Sequence, residues 1–251
     1  MQVRAMLEVC VETAAGIDAA VAGGADRIEL CAALSVGGLT PPGSLIRTVA
    51  GVALPVHLLA RPRAGGFVYS AVEQALVADD LRAAAEAGLA GVVIGASTPA
   101  YRLDTAVLAR WIALARALGA ARGVPLSLTL HRAFDLVPDP AAALEEAIAL
   151  GFDRVLTSGC APRAIDGVAT LAALHVQAAG RIRLLAGSGV NLAVLPALLA
   201  TGIREIHASA RTPVAMPEAS PERRFGFVAA EAGDTDSAVV AALAERLKSS
   251  T

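Results

Sequence analysis

Short runs in which apolar residues either alternate with polar ones or stand together recur along the chain, separated by longer runs rich in Ala and Leu. Eight of the short runs read as strands: MLEVCVE from Met6, RIELC from Arg27, PVHLLAR from Pro55, GVVIGA from Gly91, PLSLTLHR from Pro125, RVLTSG from Arg154, IRLLAGS from Ile182 and EIHASA from Glu205. Their starts lie roughly 20 to 36 residues apart, the length of one strand-helix unit. The intervening runs carry helix punctuation. Ser70 with Glu73 forms a capping box, Thr40-Pro41 and Asp139-Pro140 read as an N-cap followed by Pro, and Asp104 and Asn191 read as further caps. Gly23, Gly88, Gly151 and Gly202 end helices shortly before the next strand. Eight such units predict a single (β/α)8 TIM-like barrel, with a doubly wound sheet as the alternative. No strand-turn-helix carries GxGxxG and no composition break divides the chain, which favours the barrel. One domain over residues 1-251 is expected, with strand-helix repeats over about 5-210, an irregular Pro-containing segment over 211-235 and a last helix over 237-248.

Composition narrows the function. Hydrophobic residues make up 55% and aromatics 3%, so the core must rest on Leu, Val, Ile and Ala. A net charge of -2 offers no basic footprint for nucleic acid. The N-terminal MQVRAMLEVCVE meets Glu8 too early for a signal sequence and no apolar run is long enough to span a bilayer, so neither a membrane nor export is expected and the cytoplasm is. Three cysteines, at 10, 31 and 160, make a disulfide framework improbable. Lys248 is the only lysine and lies in the last helix, which excludes a Schiff-base aldolase in the barrel.

Barrel sites lie at the C-terminal ends of the strands, and alternation sorts each strand's faces. Glu8 with Cys10, Glu29 with Cys31, His57 with Arg61, Thr129 with His131, and His207 with Ser209 share the inward parity. Two carboxylates, two thiols, an arginine and histidines would then meet in one mouth. Arg61 is expected as the nearest partner of Glu8 and Glu29, and His131, titrating near neutrality, as an acid/base that Asp135 orients. Arg132, of opposite parity to His131, is expected to support its loop. The loops after strands six to eight carry Ser158, then Gly187, Gly189 and Asn191, then Ser209. There, backbone N–H groups and a helix starting near Asn191 could hold phosphate or carboxylate. His175, Cys160 and Trp111 read as ordinary helix or loop residues.

The segments LEVCVE, GGADRIELCAALSVGGLTP, RPRAGGFVYS, HRAFDLVPDP, RVLTSG and EIHASA, in this order over about residues 6 to 210, resemble the CutC copper homeostasis family. The resemblance implies a cytoplasmic TIM-like barrel that oligomerises with itself and handles copper, with Cys10 and Cys31 at the positions proposed as Cu(I) ligands. Two departures stand out: the family's RPRGGDF is RPRAGGF here, without its acid, and GGGV is AGSGV. Two functions therefore remain open. One is a copper handler that binds Cu(I) through Cys10 and Cys31. The other is a barrel enzyme for a small anionic metabolite, using His131, Glu8, Glu29, Arg61 and the Gly187-Asn191 turn.

Overall fold

The computed structural model describes residues 4-249. Eight parallel strands, β1 (Met6–Val11), β2 (Arg27–Leu30), β3 (Val56–Leu59), β4 (Gly91–Ile94), β5 (Ser127–Leu130), β6 (Arg154–Thr157), β7 (Arg183–Ala186) and β8 (Glu205–Ala208), close into a barrel in sequence order. The helices that return the chain are α1 (Ala14–Ala22), α2 (Gly43–Thr48), α3 (Ala71–Glu86), α4 (Thr105–Ala121), α5 (Pro140–Leu150), α6 (Val168–Ala178) and α7 (Leu195–Ala200). The fold is thus a (β/α)8 TIM barrel. After β8 come two antiparallel strands of two residues each, β9 (Val214–Ala215) and β10 (Glu231–Ala232), with the short α8 (Pro221–Arg224) between them, and then α9 (Ser237–Lys248).

Alternation decides what each strand buries. Leu7, Val9, Val11, Ile28, Leu30, Leu58, Val92, Leu128, Leu130 and Val155 point outward into one continuous apolar layer beneath the helices. Inward-facing residues of the same strands are largely polar yet also closed to solvent: Glu8, Arg27, Glu29, His57, Thr129 and Arg154. The last helix packs against β1 and α1, and Gly23 permits the approach, because a Cβ there would lie 2.5 Å from that of Val240. Among the described residues no helix is long and apolar enough to cross a membrane.

Several caps act as the residue types dictate. Ser70 accepts from Glu73 N while Glu73 reaches back to Ser70 N, and Asp104 and Asp139 cap α4 and α5. Two expected helix starts shift. Thr40 caps no helix: its hydroxyl donates to Asp80 and accepts from Arg61 N, and α2 begins at Gly43 after Pro42. Asn191 caps a turn, accepting from Ala193 N and Val194 N, and α7 begins only at Leu195.

Candidate active site at the barrel mouth

At the C-terminal ends of the strands lies a cavity of about 260 Å³. Cys10, Glu29, Leu59, Arg61, His131, Leu156, His207 and Ser209 reach it from the strands, and Leu34, Phe67, Arg132, Ser188 and Gly189 from the loops above. Strand register explains the convergence: Glu8 is paired with both Arg27 and His207, Cys10 with Glu29, and Glu29 with His57. Residues of one parity on neighbouring strands therefore meet across the barrel axis.

The floor of the cavity is a charged cluster. His207 Nδ1 lies 2.7 Å from Glu8 Oε1, and the other oxygen of Glu8 accepts from Arg27 Nε at 2.5 Å. Glu29 Oε2 stands 3.4 Å from the same His207 nitrogen but makes no hydrogen bond, since that ring position is engaged by Glu8. The electrostatics divide the two carboxyls. Burial would raise Glu8, but Arg27 and His207 outweigh it and hold the group far below the carboxylate range. For Glu29 burial dominates, with Glu8 adding repulsion against the pull of His207, and the carboxyl is pushed up to about 7. Burial opposes a charge on His207, yet Cys10, Glu29 and Glu8 together raise it well above the ordinary imidazole value. Glu8, Glu29 and His207 each bring one ligand atom within 4.8 Å of the others. Two carboxylates and an imidazole suit a hard or borderline divalent cation better than Cu(I).

His131 differs from its expected state. Its Nδ1 accepts from Ala133 N at 3.1 Å, so the neutral ring carries its proton on Nε2, a buried atom with no partner. Burial, reinforced by Arg61, lowers the ring to about 3, so it does not titrate near neutrality. The ring lies against Phe67, centroids 4.7 Å apart, and over Gly95, where a Cβ would sit 2.4 Å from Cε1.

Arg61 is not the partner of Glu8 or Glu29. Its guanidinium donates to the carbonyls of Val36, Gly38 and Gly65 and covers the Phe67 ring, clipping two loops over the mouth. Of the two carboxylates it is Glu8 that Arg27, at the first position of β2, takes as partner, and the other end of that guanidinium binds Glu205 at 2.7 Å. Arg27's parity with Glu29 was the available signal, masked by its place at the start of the strand. Arg63, beside the departure at Gly66, takes Glu73 as its carboxylate partner.

Asp135 lies outside the cavity wall. Its carboxylate accepts from Arg132, Thr157, Ser158 and Cys160, knitting the loops after β5 and β6, and Ser158 belongs to that network. Arg132, bonded to Asp135 and Ser158, nonetheless contributes to the wall. Of the Gly187-Asn191 turn, Ser188, Gly189 and Val190 line the cavity, whereas Gly187 and Asn191 do not. Ser188 and Gly189 both have positive φ, 84° and 68°, and the Ser188 hydroxyl is tied to Pro162 O. A left-handed serine costs backbone energy, so the turn is held by its neighbours.

The thiols are adjacent but unequal. Cys10 and Cys31 share an apolar cluster with Leu34, Leu59 and Val93. Cys10 reaches the cavity. Cys31 is fully buried beneath Gly38, and its Sγ–H lies 3.4 Å from Val11 O. Burial, with Cys10 and Glu29 adding repulsion, raises the Cys31 thiol strongly. A soft cation could thus meet Cys10 from the cavity, whereas Cys31 is closed to solvent.

Comparison with known proteins follows the same span. The CutC family model matches residues 5–212. A family protein CutC of Caulobacter vibrioides is 46% identical, covering 98% of each chain, and one of Rhizobium meliloti is 45% identical, covering 97% of this chain and 96% of that one. A crystal structure of the candidate copper homeostasis protein CutC from Streptococcus agalactiae matches with a TM-score of 0.75 and 27% identity, over 82% of this chain and 98% of that one.

Proposed function

The chain belongs to the CutC family, and from that premise we propose that the barrel mouth is an acid/base active site for a small anionic carbonyl compound. The carrying observation is Glu29, a buried carboxyl on the cavity wall with an unpaired oxygen and an affinity for protons poised at about 7. A general base works best when its pKa lies near the working pH. His131 supplies the complement, a neutral imidazole whose unpaired Nε2–H would polarise a carbonyl oxygen without surrendering its proton. Buried polar atoms left without partners beside a cavity are explained when a ligand completes them. His207, held cationic by Glu8, and the Ser188-Gly189 backbone would face the anionic group. In this reading Glu29 takes a proton from the carbon next to the carbonyl, His131 stabilises the developing oxyanion, and Glu8 holds His207 in place. A volume of about 260 Å³ limits the substrate to a small molecule.

The test is proton exchange in D2O. A panel of small 2-oxo and 2-hydroxy acids and their phosphorylated relatives is incubated with the protein and read by NMR. Deuterium entering beside the carbonyl of a panel member, and lost in Glu29→Gln, supports the site. No exchange and no binding across the panel would reject it.

A second reading is carried by Cys10, whose thiol reaches the cavity beside His207 and stands next to Cys31. Here the mouth takes Cu(I) as cargo, with Cys10 and Cys31 as the soft ligands. An anaerobic Cu(I) titration against a competing chelator decides it. Tight stoichiometric binding lost in Cys10→Ala would favour the copper reading, and binding unchanged in the Cys10→Ala, Cys31→Ala double variant would exclude the thiol pair.

A further inference from the structure

A second cavity, about 590 Å³, opens at the opposite end of the barrel, among the first residues of β2, β6, β7 and β8. Arg27, Arg154, Arg183 and Arg204 line it, with Glu205 as the lining carboxylate. Their charges do not balance. Glu205 pairs with Arg27 at 2.7 Å, Arg154 at 3.1 Å and Arg183 at 3.5 Å. Glu8, from the mouth side, pairs with Arg27 as well. Arg204 bonds the carbonyls of Leu199 and Ile203, and no described carboxylate lies within ion-pair distance of it. Four guanidinium groups therefore face two carboxylates, both already shared. Arg4, at the rim, pairs with Asp26 and adds no free charge.

We propose that this cavity is an anion-binding site for a phosphate-class dianion, separate from the barrel mouth. Two negative charges would close the local balance, and forked guanidinium groups match the oxygens of phosphate. Arg27 and Arg154 are only 5% exposed at their side chains, so the field they set up in the cavity is weakly screened. Burial and then the neighbouring charge of Arg27 depress the Arg154 guanidinium, a strain that a bound anion relieves. Arg183 is 66% exposed and would close on the ligand from outside. The proposal does not depend on the chemistry at the mouth, because none of these arginines lines that cavity.

The experiment is calorimetric titration of the full chain with inorganic phosphate at fixed ionic strength, chloride serving as the control. Saturable binding by phosphate and not chloride, weakened at least tenfold by Arg183→Ala or Arg204→Ala, supports the site. Both residues are partly exposed at the barrel end, so both variants should fold, and unchanged circular dichroism and melting temperature would show it. Absence of saturable binding overturns the proposal. So does binding that survives the Arg183→Ala, Arg204→Ala double variant, or binding abolished by Glu29→Gln, which would put the anion at the mouth.

Discussion

At the residue scale, one carboxyl separates into two roles by environment. Glu8 and Glu29 have the same side chain and the same inward parity, on neighbouring strands beside His207, yet Arg27 touches Glu8 and leaves Glu29 without a hydrogen bond on Oε2. Their effects on stability oppose each other. Glu8 is depressed when folded, so its contribution is present above the ordinary carboxylate value of 4.5 and is lost as pH falls through the folded value. Glu29 is raised to about 7, so its contribution is present below 4.5 and is lost as pH rises through about 7. Chemical denaturation at pH 5 and at pH 7.5 should therefore show Glu29→Gln losing less stability across that interval than the parent, by on the order of 3 kcal/mol. Equal slopes in parent and variant would mean that Glu29 is ionised throughout. Parity in the sequence was enough to bring both glutamates, both thiols and His207 together. It could not order their proton affinities, because those depend on which guanidinium arrives from the far end of the barrel. For the same reason His131, a titrating group by residue type, becomes a neutral donor once Ala133 N occupies its Nδ1 and burial excludes the charge.

At the element scale, the strands aim the site and two glycines set how closely its parts approach. Gly95, one residue beyond β4, lies under the His131 ring, and Gly38 lies over Cys31. Adding a methyl at Gly95 would force the imidazole out of its place, since the new carbon would meet Cε1 and Nδ1 at 2.4 and 2.5 Å. Gly95→Ala should fold with a cost of about 1 to 3 kcal/mol and lose exchange or ligand binding at the mouth. Retention of that function together with an unmoved His131 resonance in NMR would show that the ring's position is immaterial. Helix α3 offers a calibration away from the site. Its capping box is complete, so Ser70→Ala should lower stability by about 1 kcal/mol in thermal melts. The box was legible because a local pattern encodes it. The starts of α2 and α7 were not, since Thr40 is drawn off by Asp80 and Arg61 while Asn191 closes a turn of its own.

Across the whole molecule, charge runs through the barrel from end to end. Arg27 joins Glu205 at one cavity to Glu8, which holds His207 at the other. The (β/α)8 architecture was readable from strand spacing and helix punctuation, but this axis was not, because sequence order places Arg154 and Glu205 far from Glu8 and only barrel closure unites them. Glu205 is its most heavily shared member, contacting Arg27, Arg154 and Arg183 while itself 7% exposed at the side chain. Glu205→Gln keeps the shape and removes the charge, leaving Arg27 with Glu8 alone and Arg154 with hydroxyl partners at Ser127 and Thr129. An uncompensated buried cation costs about 3 to 5 kcal/mol when its partner is removed. Thermal and denaturant unfolding of Glu205→Gln should show a loss of that size. Inorganic phosphate should restore part of it, since a dianion in the same cavity supplies the missing charge. A variant as stable as the parent would mean that solvent, rather than Glu205, satisfies these arginines, and that this end of the barrel tolerates one further uncompensated positive charge.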